Sequence, residues 1–233
     1  MVAKEFDASA EARISQQIPA VTSLFDTTRE FSQPSGAYLI WVKPALDRIG
    51  GSIALILAIP VLIVLGLSIW LSMGRPVFFA QERVGLQGQV FRLWKFRTME
   101  PDRRTTKLRW IGEEKRKVHK SADDPRITPL GRWLRRTRLD EIPQLINVVM
   151  GDLSLVGPRP ELVEVVAEYE PWQHRRHAVK PGITGLWQIS DDGEKLLREC
   201  TALELEYLDE ISLGKDLSII FRTFPAMARR SGI

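Results

Sequence analysis

Two adjacent carboxylates, Asp140 and Glu141, follow the basic and polar run Arg135-Arg136-Thr137-Arg138, with Leu139 between. Pro143 follows, and because proline is tolerated in the first turn of a helix but not in its interior, both carboxylates are predicted to lie at or just before a helix N-terminus. The helix dipole and the arginines would keep Asp140 ionised. Such a carboxylate can attack phosphorus and form an acyl phosphate while its neighbour holds a divalent metal ion. On these two residues alone, simple capping of the helix by Asp140 is the favoured alternative.

Basic residues elsewhere in the chain shift that balance toward phosphate chemistry. Arg159 stands on a turn between two prolines, which suits bidentate contact with phosphate. The segment 174–185 adds five basic or titratable side chains, among them His177 and Lys180, although a solvated charge run would explain this segment by itself. Lys95 and Arg97 lie at a predicted strand end. In this context Asp140 is more than a cap, and an anionic substrate is expected beside it.

The charge distribution also indicates an anionic partner. Residues 92–139 carry sixteen Lys and Arg against six Asp and Glu, whereas residues 140–233 carry ten against sixteen. Nucleic acid, phospholipid and phosphorylated small molecules are all compatible with such a junction. The apolar content of 44% excludes a disordered chain. The single Cys200 excludes an internal disulfide, and its apolar neighbours predict a core residue rather than a nucleophile.

Twenty-six residues without a charge separate Arg48 from Arg75. About twenty apolar residues suffice to cross a bilayer, so the length predicts a membrane segment, and a buried core helix of a soluble domain is the weaker alternative. Pro60 lies near the middle and favours a kink or a break. The residues leave two topologies open at even odds: a kinked helix that spans, or a hairpin with both ends on the same face.

The remaining chain predicts a compact α+β domain with more helix than strand. Strands are expected at 77–80 and 90–96 around the turn 85–88. Helices are expected at 130–136, 142–150, 161–169, 194–211 and 213–230, and a short extended piece at 183–189. The last helix either lies on an anionic membrane surface or packs on the core as an ordinary surface helix. Residues 1–40 are predicted to form a polar extension, for which the sequence indicates no function.

Four motifs in order resemble the bacterial sugar transferase family, the monotopic phosphoglycosyl transferases, from about Trp41 to the C-terminus. The motifs are PVFFAQERVG at 76–85, KFRTM at 95–99, LDEIPQLINV at 139–148 with GDLSLVGPRP at 151–160, and KPGITGLWQ at 180–188. Their order and density make coincidence very improbable, although each alone would be weak. One departure follows Gln188, where the family usually has a Gly-Arg pair and this chain has Ser190-Asp191-Asp192-Gly193, which affects expectations about the sugar.

This resemblance implies a function and a set of site residues. Asp140 is the expected nucleophile on the β-phosphate of a UDP-sugar, and Glu141 its partner, with both carboxylates as the expected ligands of Mg²⁺. The products are UMP and a covalent phosphosugar-aspartate, which passes to polyprenyl (undecaprenyl) phosphate. The expected phosphate- and nucleotide-binding residues are Lys95, Arg97, Arg135, Arg159, His177 and Lys180.

The resemblance also implies an architecture: a polar extension (1–40), a re-entrant membrane helix broken at Pro60 (41–75) and a small cytosolic catalytic domain (76–233), in the short, catalytic-core form of the family. The expected location is the bacterial inner membrane, with the catalytic domain facing the cytoplasm. A membrane-tethered nucleic-acid-binding protein is a competing interpretation, but no helix-turn-helix, ribonucleoprotein or zinc pattern is present. A structural partner that has lost its chemistry is the third, and the intact carboxylate pair argues against it. The sequence does not indicate the oligomeric state.

Overall fold

The computed structural model describes residues 34–100, 126–190 and 201–229. Within these ranges the chain is mostly helical, with two small two-stranded sheets. The helices are α1 (Lys43–Met73), α2 (Pro129–Thr137), α3 (Gln144–Met150), α4 (Val163–Val166), α5 (Leu186–Ile189), α6 (Thr201–Asp209) and α7 (Leu213–Arg229). The strands are β1 (Phe78–Val84), β2 (Val90–Phe96), β3 (Ser154–Val156) and β4 (Gly182–Thr184). A π-helical turn (Tyr38–Val42) precedes α1, and 3₁₀ turns occupy Leu86–Gly88, Leu139–Glu141 and Pro171–Ala178. The predicted α+β, mostly helical fold is confirmed.

The hairpin predicted near the start of the domain is present. Strands β1 and β2 are antiparallel and pair from Phe78 opposite Phe96 to Val84 opposite Val90. The connecting turn is tight because Gln87 adopts a positive φ of 50°. Strand β1 extends beyond its predicted end at residue 80, since the polar residues that follow are paired along the whole of β2.

Helix α1 contains the uncharged run and continues through Pro60. The break expected there is not present, because the ring of a proline removes one hydrogen bond while the 31-residue helix keeps its bonds on either side. Tyr38–Met73 is the one helix of the described chain that is long and apolar enough to cross a membrane, judged by length and composition. Only 11% of its most apolar window is buried against protein, which disfavours a soluble core helix.

The first turns of α1 are fixed to the domain by buried polar contacts. Lys43 Nζ lies 2.6 Å from Asp216 Oδ2 on α7. One turn later, Asp47 accepts a hydrogen bond of 2.7 Å from Ser154 Oγ at the start of β3. Lys43 is only 5% exposed, so it is enclosed by the domain although it lies close to the apolar run.

The last turns of α1 pack on the same domain. One apolar cluster combines buried residues of α1, β2 and α2: Leu65, Ile69, Phe96 and Leu134. Arg97 donates to the carbonyl oxygens of Met73 at 2.5 Å and Gly74 at 2.8 Å, and thereby binds the C-terminal end of the helix. Both ends of α1 therefore contact the domain.

The short strands β3 and β4 are parallel and bring two of the sequence motifs together. The Gly157 N–H donates to the Thr184 carbonyl at 2.9 Å, and the Gly182 N–H donates to the Pro158 carbonyl at 2.8 Å. A Cβ at Gly182 would lie 2.1 Å from the Gly157 nitrogen. The two segments thus approach backbone to backbone, which only glycine permits.

Other predicted elements differ in extent. The helix expected at 161–169 is confined to α4, and the extended piece at 183–189 divides into β4 and α5 after Gly185. The helices expected at 130–136 and 213–230 are present as α2 and α7, with similar bounds. Expectations for the polar extension up to residue 33, the start of the helix at 194, Asp191 to Gly193 and Cys200 lie outside the described residues.

Candidate active site

A left-handed residue between α2 and α3 positions the carboxylate pair. Arg138 ends α2 with a φ of 57°, and the 3₁₀ turn that follows carries Asp140 and Glu141. Helix α3 begins at Gln144 with Pro143 as its N-cap residue, so the carboxylates precede the helix as predicted. Asp140 occupies neither cap position, and no side-chain cap bond is made at the 3₁₀ turn or at α3. Asp140 therefore does not cap a helix in this structure.

Glu141 is held by two cations from different parts of the chain. Lys95 on β2 donates from Nζ to Glu141 Oε1 at 2.9 Å. Arg159, on the turn after β3, places its NH2 3.7 Å from the same oxygen. Neither of these two contacts uses Oε2. The side chains of all three are 18–25% exposed, and all three residues line one cavity.

The two carboxyl groups differ in their protonation behaviour. Burial alone would raise the pKa of Glu141, but Lys95 and Arg159 outweigh it and hold that pKa well below the usual range. Burial, and then the negative charge of Glu141, raise the pKa of Asp140 to about 6, although Lys95 and Arg135 partly oppose the shift. The sequence suggested that the arginines would favour ionised Asp140. Instead, the compensated carboxylate is Glu141, because the cations contact it directly.

The other predicted binding residues lie at different distances from this pair. Arg135 donates from Nε to Thr98 Oγ1 at 2.9 Å and acts on Asp140 by its charge. Arg97 binds the end of α1, as described above. His177 is 5% exposed beside His174, and burial holds the pKa of His177 well below its ordinary value. Lys180 lies near Arg48, and its pKa is lowered by burial and by that arginine.

Thus Lys95, Glu141 and Arg159 line one cavity. The other predicted site residues are not among its lining residues: Arg97, Arg135, Asp140, His177 and Lys180. The roles of all the predicted residues in phosphate binding remain predictions. The local structure gives Arg97 the role of a helix anchor and places the buried His177 ring beside the rings of Tyr169 and His174.

Three further residues belong to the cavity or contact it, and sequence reasoning did not single them out. Arg83 and Gln144 line it. Arg159 lies over the Trp187 ring, with its guanidinium carbon 5.6 Å from the ring centroid. Gln144 is a polar residue one helical turn after Glu141, a spacing that could have pointed to it. Arg83 and Trp187 lie within two of the quoted motifs, but only the folded chain brings β1 and α5 to this place.

The carboxylate pair is compatible with a bound magnesium ion. Among the described residues no group of three or more His, Cys, Asp or Glu side chains could hold a metal ion. Mg²⁺ nevertheless binds through one or two carboxylates completed by water and substrate phosphates. Asp140 and Oε2 of Glu141 can supply those carboxylates, and the remaining ligands would come with the substrate.

Comparison with known proteins identifies the family. Residues 38–230 match the family described as bacterial sugar transferase. The chain belongs to this family. The expectation from the four motifs is therefore confirmed, and the carboxylate pair, the turn of Arg159 and the segment of Lys180 all lie within the matched range.

Curated members of the family give its range of sizes. Exopolysaccharide production protein ExoY of Rhizobium meliloti is 36% identical over 196 residues, which cover 82% of this chain and 87% of ExoY. Galactosyl transferase CpsE of Streptococcus agalactiae is 41% identical over 162 residues, 68% of this chain and 36% of CpsE. The UDP-glucose:undecaprenyl-phosphate glucose-1-phosphate transferase of Escherichia coli is 37% identical over 190 residues, 78% of this chain and 39% of that enzyme. The match thus spans most of ExoY but less than half of the other two proteins.

Proposed function

We propose that this family member transfers a sugar-1-phosphate from a UDP-sugar to a polyprenyl phosphate, with release of UMP, as the first membrane step of glycoconjugate or polysaccharide synthesis. The observation that carries the proposal is the Asp140-Glu141 pair, in which Glu141 contacts Lys95 and Arg159 and lines one cavity with them. The printed name of the Escherichia coli relative describes this type of reaction for that enzyme.

In the proposed mechanism Asp140 is the nucleophile. Its carboxylate oxygen attacks the β-phosphorus of the UDP-sugar, the bond from that phosphorus to the bridging oxygen breaks, and UMP leaves with the bond's electron pair. An oxygen of the polyprenyl phosphate then attacks the same phosphorus, and the acyl phosphate bond breaks to restore the Asp140 carboxylate. With a pKa of about 6, Asp140 is mostly ionised at neutral pH.

The cations of the cavity suit a phosphate-bearing donor. Lys95 and Arg159 converge on one point of the cavity from separate elements, and both can contact phosphate oxygens as well as Glu141. Magnesium, when bound at Asp140 and Glu141, would neutralise phosphate oxygens. Chelation should therefore abolish turnover, and added Mg²⁺ should restore it.

An open apolar groove beside α1 supports a lipid acceptor. The groove has a volume of about 570 Å³, and one of its walls is formed by Val77 and Phe78. Its other wall is the stretch of α1 from Ile59 to Trp70, and Arg75 also lines it. An isoprenoid chain is apolar and its phosphate is anionic, so this combination fits a polyprenyl phosphate.

The test is UMP release by purified protein in lipid with undecaprenyl phosphate, Mg²⁺ and a panel of UDP-sugars. Asp140→Asn should abolish release while the thermal unfolding temperature changes little, because the amide keeps the shape of the side chain but is not an anionic nucleophile. Substantial turnover by this variant would refute the proposed role of Asp140. Absence of release by the wild-type protein with every UDP-sugar would refute the function itself.

A further inference from the structure

The turn that carries Arg159 is bound through its backbone to a buried ion pair. The Arg159 N–H donates to Glu204 Oε1 at 2.8 Å. The Arg159 carbonyl accepts from the NH2 of Arg176 at 2.5 Å. Arg176 Nε and Glu204 Oε2 lie 2.6 Å apart. The two polar backbone groups of a single residue are thus bonded to the two partners of one pair.

The pair is almost completely enclosed. The side chains of Arg176 and Glu204 are each 1% exposed, and neither residue is among those that line the cavity. A third contact, from Arg176 NH1 to the Tyr169 hydroxyl at 2.7 Å, fixes the guanidinium further. Buried ion pairs seldom stabilise a fold more than apolar residues of similar volume do, because desolvation offsets their attraction. Stability alone is therefore a weak explanation for this pair.

The geometry of Arg159 suggests what the pair achieves. Pro158 and Pro160 restrict the backbone on either side, and the ion pair fixes the residue between them. From this position the guanidinium lies over Trp187 and reaches to 3.7 Å from Glu141 Oε1. Displacement of a catalytic or binding group by about 1 Å can cost on the order of a hundredfold in rate.

We propose that Arg176 and Glu204 are positioning residues, which set the backbone of Arg159 so that its guanidinium meets the phosphates of the donor. The inference rests on the proposed function, in which Arg159 binds the UDP-sugar. It assigns to α6 and to the 3₁₀ turn Pro171–Ala178 a part in donor binding, although neither element supplies a residue that lines the cavity.

The test replaces the pair as a unit with Arg176→Met and Glu204→Leu, since a paired apolar replacement avoids an uncompensated buried charge. Donor kcat/KM should fall at least tenfold, while kcat/KM for the polyprenyl phosphate stays within twofold. The matched control is Arg175→Met with Asp209→Leu, which removes an ion pair between the same two elements at the surface. It should leave donor kcat/KM within twofold.

A double-mutant cycle separates positioning from a general structural role. In an Arg159→Ala background, replacing the pair should lower donor kcat/KM by no more than a further twofold, because the residue being positioned has lost its guanidinium. Tyr169→Phe keeps the ring and removes one contact of Arg176. It should lower donor kcat/KM several-fold in the wild type and hardly at all in Arg159→Ala, and it serves as the test if the paired replacement does not fold.

Equal losses of donor kcat/KM in both backgrounds would overturn the inference, and so would a folded variant of the pair with unchanged donor kcat/KM. In either case, UMP release by the wild-type protein would still support the proposed function. A wild-type protein that releases no UMP from any UDP-sugar would refute both.

Discussion

At the scale of single residues, the site divides charge unequally between two neighbouring carboxylates. Glu141 contacts Lys95 and Arg159 directly, whereas Lys95 and Arg135 act on Asp140 through their charge. The cations therefore stabilise the Glu141 carboxylate more, and Asp140, the proposed nucleophile, keeps a raised pKa of about 6. Because the Asp140 carboxylate is stabilised less, its bond to phosphorus is more favourable.

The structure makes Arg159 sensitive to a conservative change. Arg159→Lys should lower kcat/KM for the UDP-sugar by about tenfold to a hundredfold. An ammonium group cannot reproduce the bidentate contact or the position over Trp187. The size of the loss follows from the contribution of hydrogen bonds to charged groups, about 1.5–3 kcal/mol. Initial-rate kinetics with varied donor measure this. Arg132→Lys on the exposed face of α2 is the control and should leave the rate unchanged. Equal activity of Arg159→Lys and wild type would reduce Arg159 to a general source of positive charge.

Some of these residues could be predicted from the sequence and others could not. Asp140, Glu141 and Arg159 stood out because their neighbours, prolines and charges, restrict what they can do locally. For Arg97 the sequence was misleading. The carbonyl oxygen that Arg97 binds at the end of α1 belongs to Gly74, 23 positions earlier, and the sequence does not show that this strand end meets that helix end. Glu204 gave no signal at all, because a glutamate on an amphipathic helix is ordinarily solvated.

At the scale of elements, the parallel contact of β3 and β4 determines where the Arg159 turn and the Lys180 segment meet. Only two pairs define the ladder, Ser154 with Gly182 and Val156 with Thr184. Such a short ladder depends on the close backbone approach at Gly157 and Gly182. The motifs predicted that both segments matter, but not that they touch, since the contact spans more than twenty residues of chain.

The backbone contact predicts that Gly182→Ala is strongly destabilising. The added Cβ would lie 2.1 Å from a backbone nitrogen, which cannot move aside as a flexible side chain can, so we expect a loss of about 3 kcal/mol or more. Thermal unfolding in detergent measures it. Gly214→Ala on α7 is the matched control: nothing lies within 4 Å of its Cβ, and the change should stabilise by up to about 1 kcal/mol. Equal unfolding temperatures for the two variants would contradict the close approach.

Helix α7 has features of both roles that the sequence left open for it. Its inner face buries Ile219 and Ala226 in the core cluster. Its outer face exposes an apolar stripe at helical spacing, formed by Leu213, Leu217, Phe221 and Phe224. A surface helix that packs on the core has little use for a second apolar face in water, so this stripe favours contact with a membrane surface as well.

The stripe can be tested with an environment-sensitive fluorophore on single cysteines, after removal of Cys200. A probe at Phe221, which is 71% exposed in the isolated chain, should shift to shorter wavelength when the protein is in anionic nanodiscs. A probe at the neighbouring exposed Arg222 should shift less, because adjacent helical positions face different directions. Water-like emission from both probes in nanodiscs would leave α7 as an ordinary surface helix.

At the scale of the whole molecule, the two ends of α1 contact one domain. Asp47 binds Ser154, and Ile69 is buried against Phe96, at positions about 33 Å apart along the helix. The hydrocarbon core of a bilayer is about 30 Å thick, so a helix spanning it would hold the two contacts at opposite surfaces. The domain would then have to lie inside the hydrocarbon, where its irregular backbone could not be hydrogen-bonded. The contacts therefore favour a monotopic arrangement, whether α1 lies along one surface or bends in its exposed middle.

The last prediction is that both ends of α1 face the cytoplasm. UDP-sugars are cytoplasmic in the proposed reaction, so the domain must face inward, and the buried contact of Lys43 with Asp216 then keeps the N-terminal end on the same side. Arg48 and Arg75 are both exposed and can approach the same anionic leaflet, each contributing on the order of 1 kcal/mol. Single cysteines replace Ser35, before α1, and Ala167, in the domain, both exposed positions, in a chain with Cys200→Ser. A membrane-impermeant thiol reagent should label both in inverted membrane vesicles and neither in spheroplasts.

Labelling of Ser35→Cys in spheroplasts, with Ala167→Cys labelled only in inverted vesicles, would mean that α1 spans the membrane. Labelling of both in spheroplasts would place the domain outside and remove its access to UDP-sugars. Pro60→Leu adds an internal comparison, because leucine restores the missing helical hydrogen bond and favours a straight helix. If the polar contacts of Lys43 and Asp47 hold the N-terminal end in place, this variant should keep the labelling pattern. If the proline alone determines the topology, Ser35→Cys should become accessible from outside.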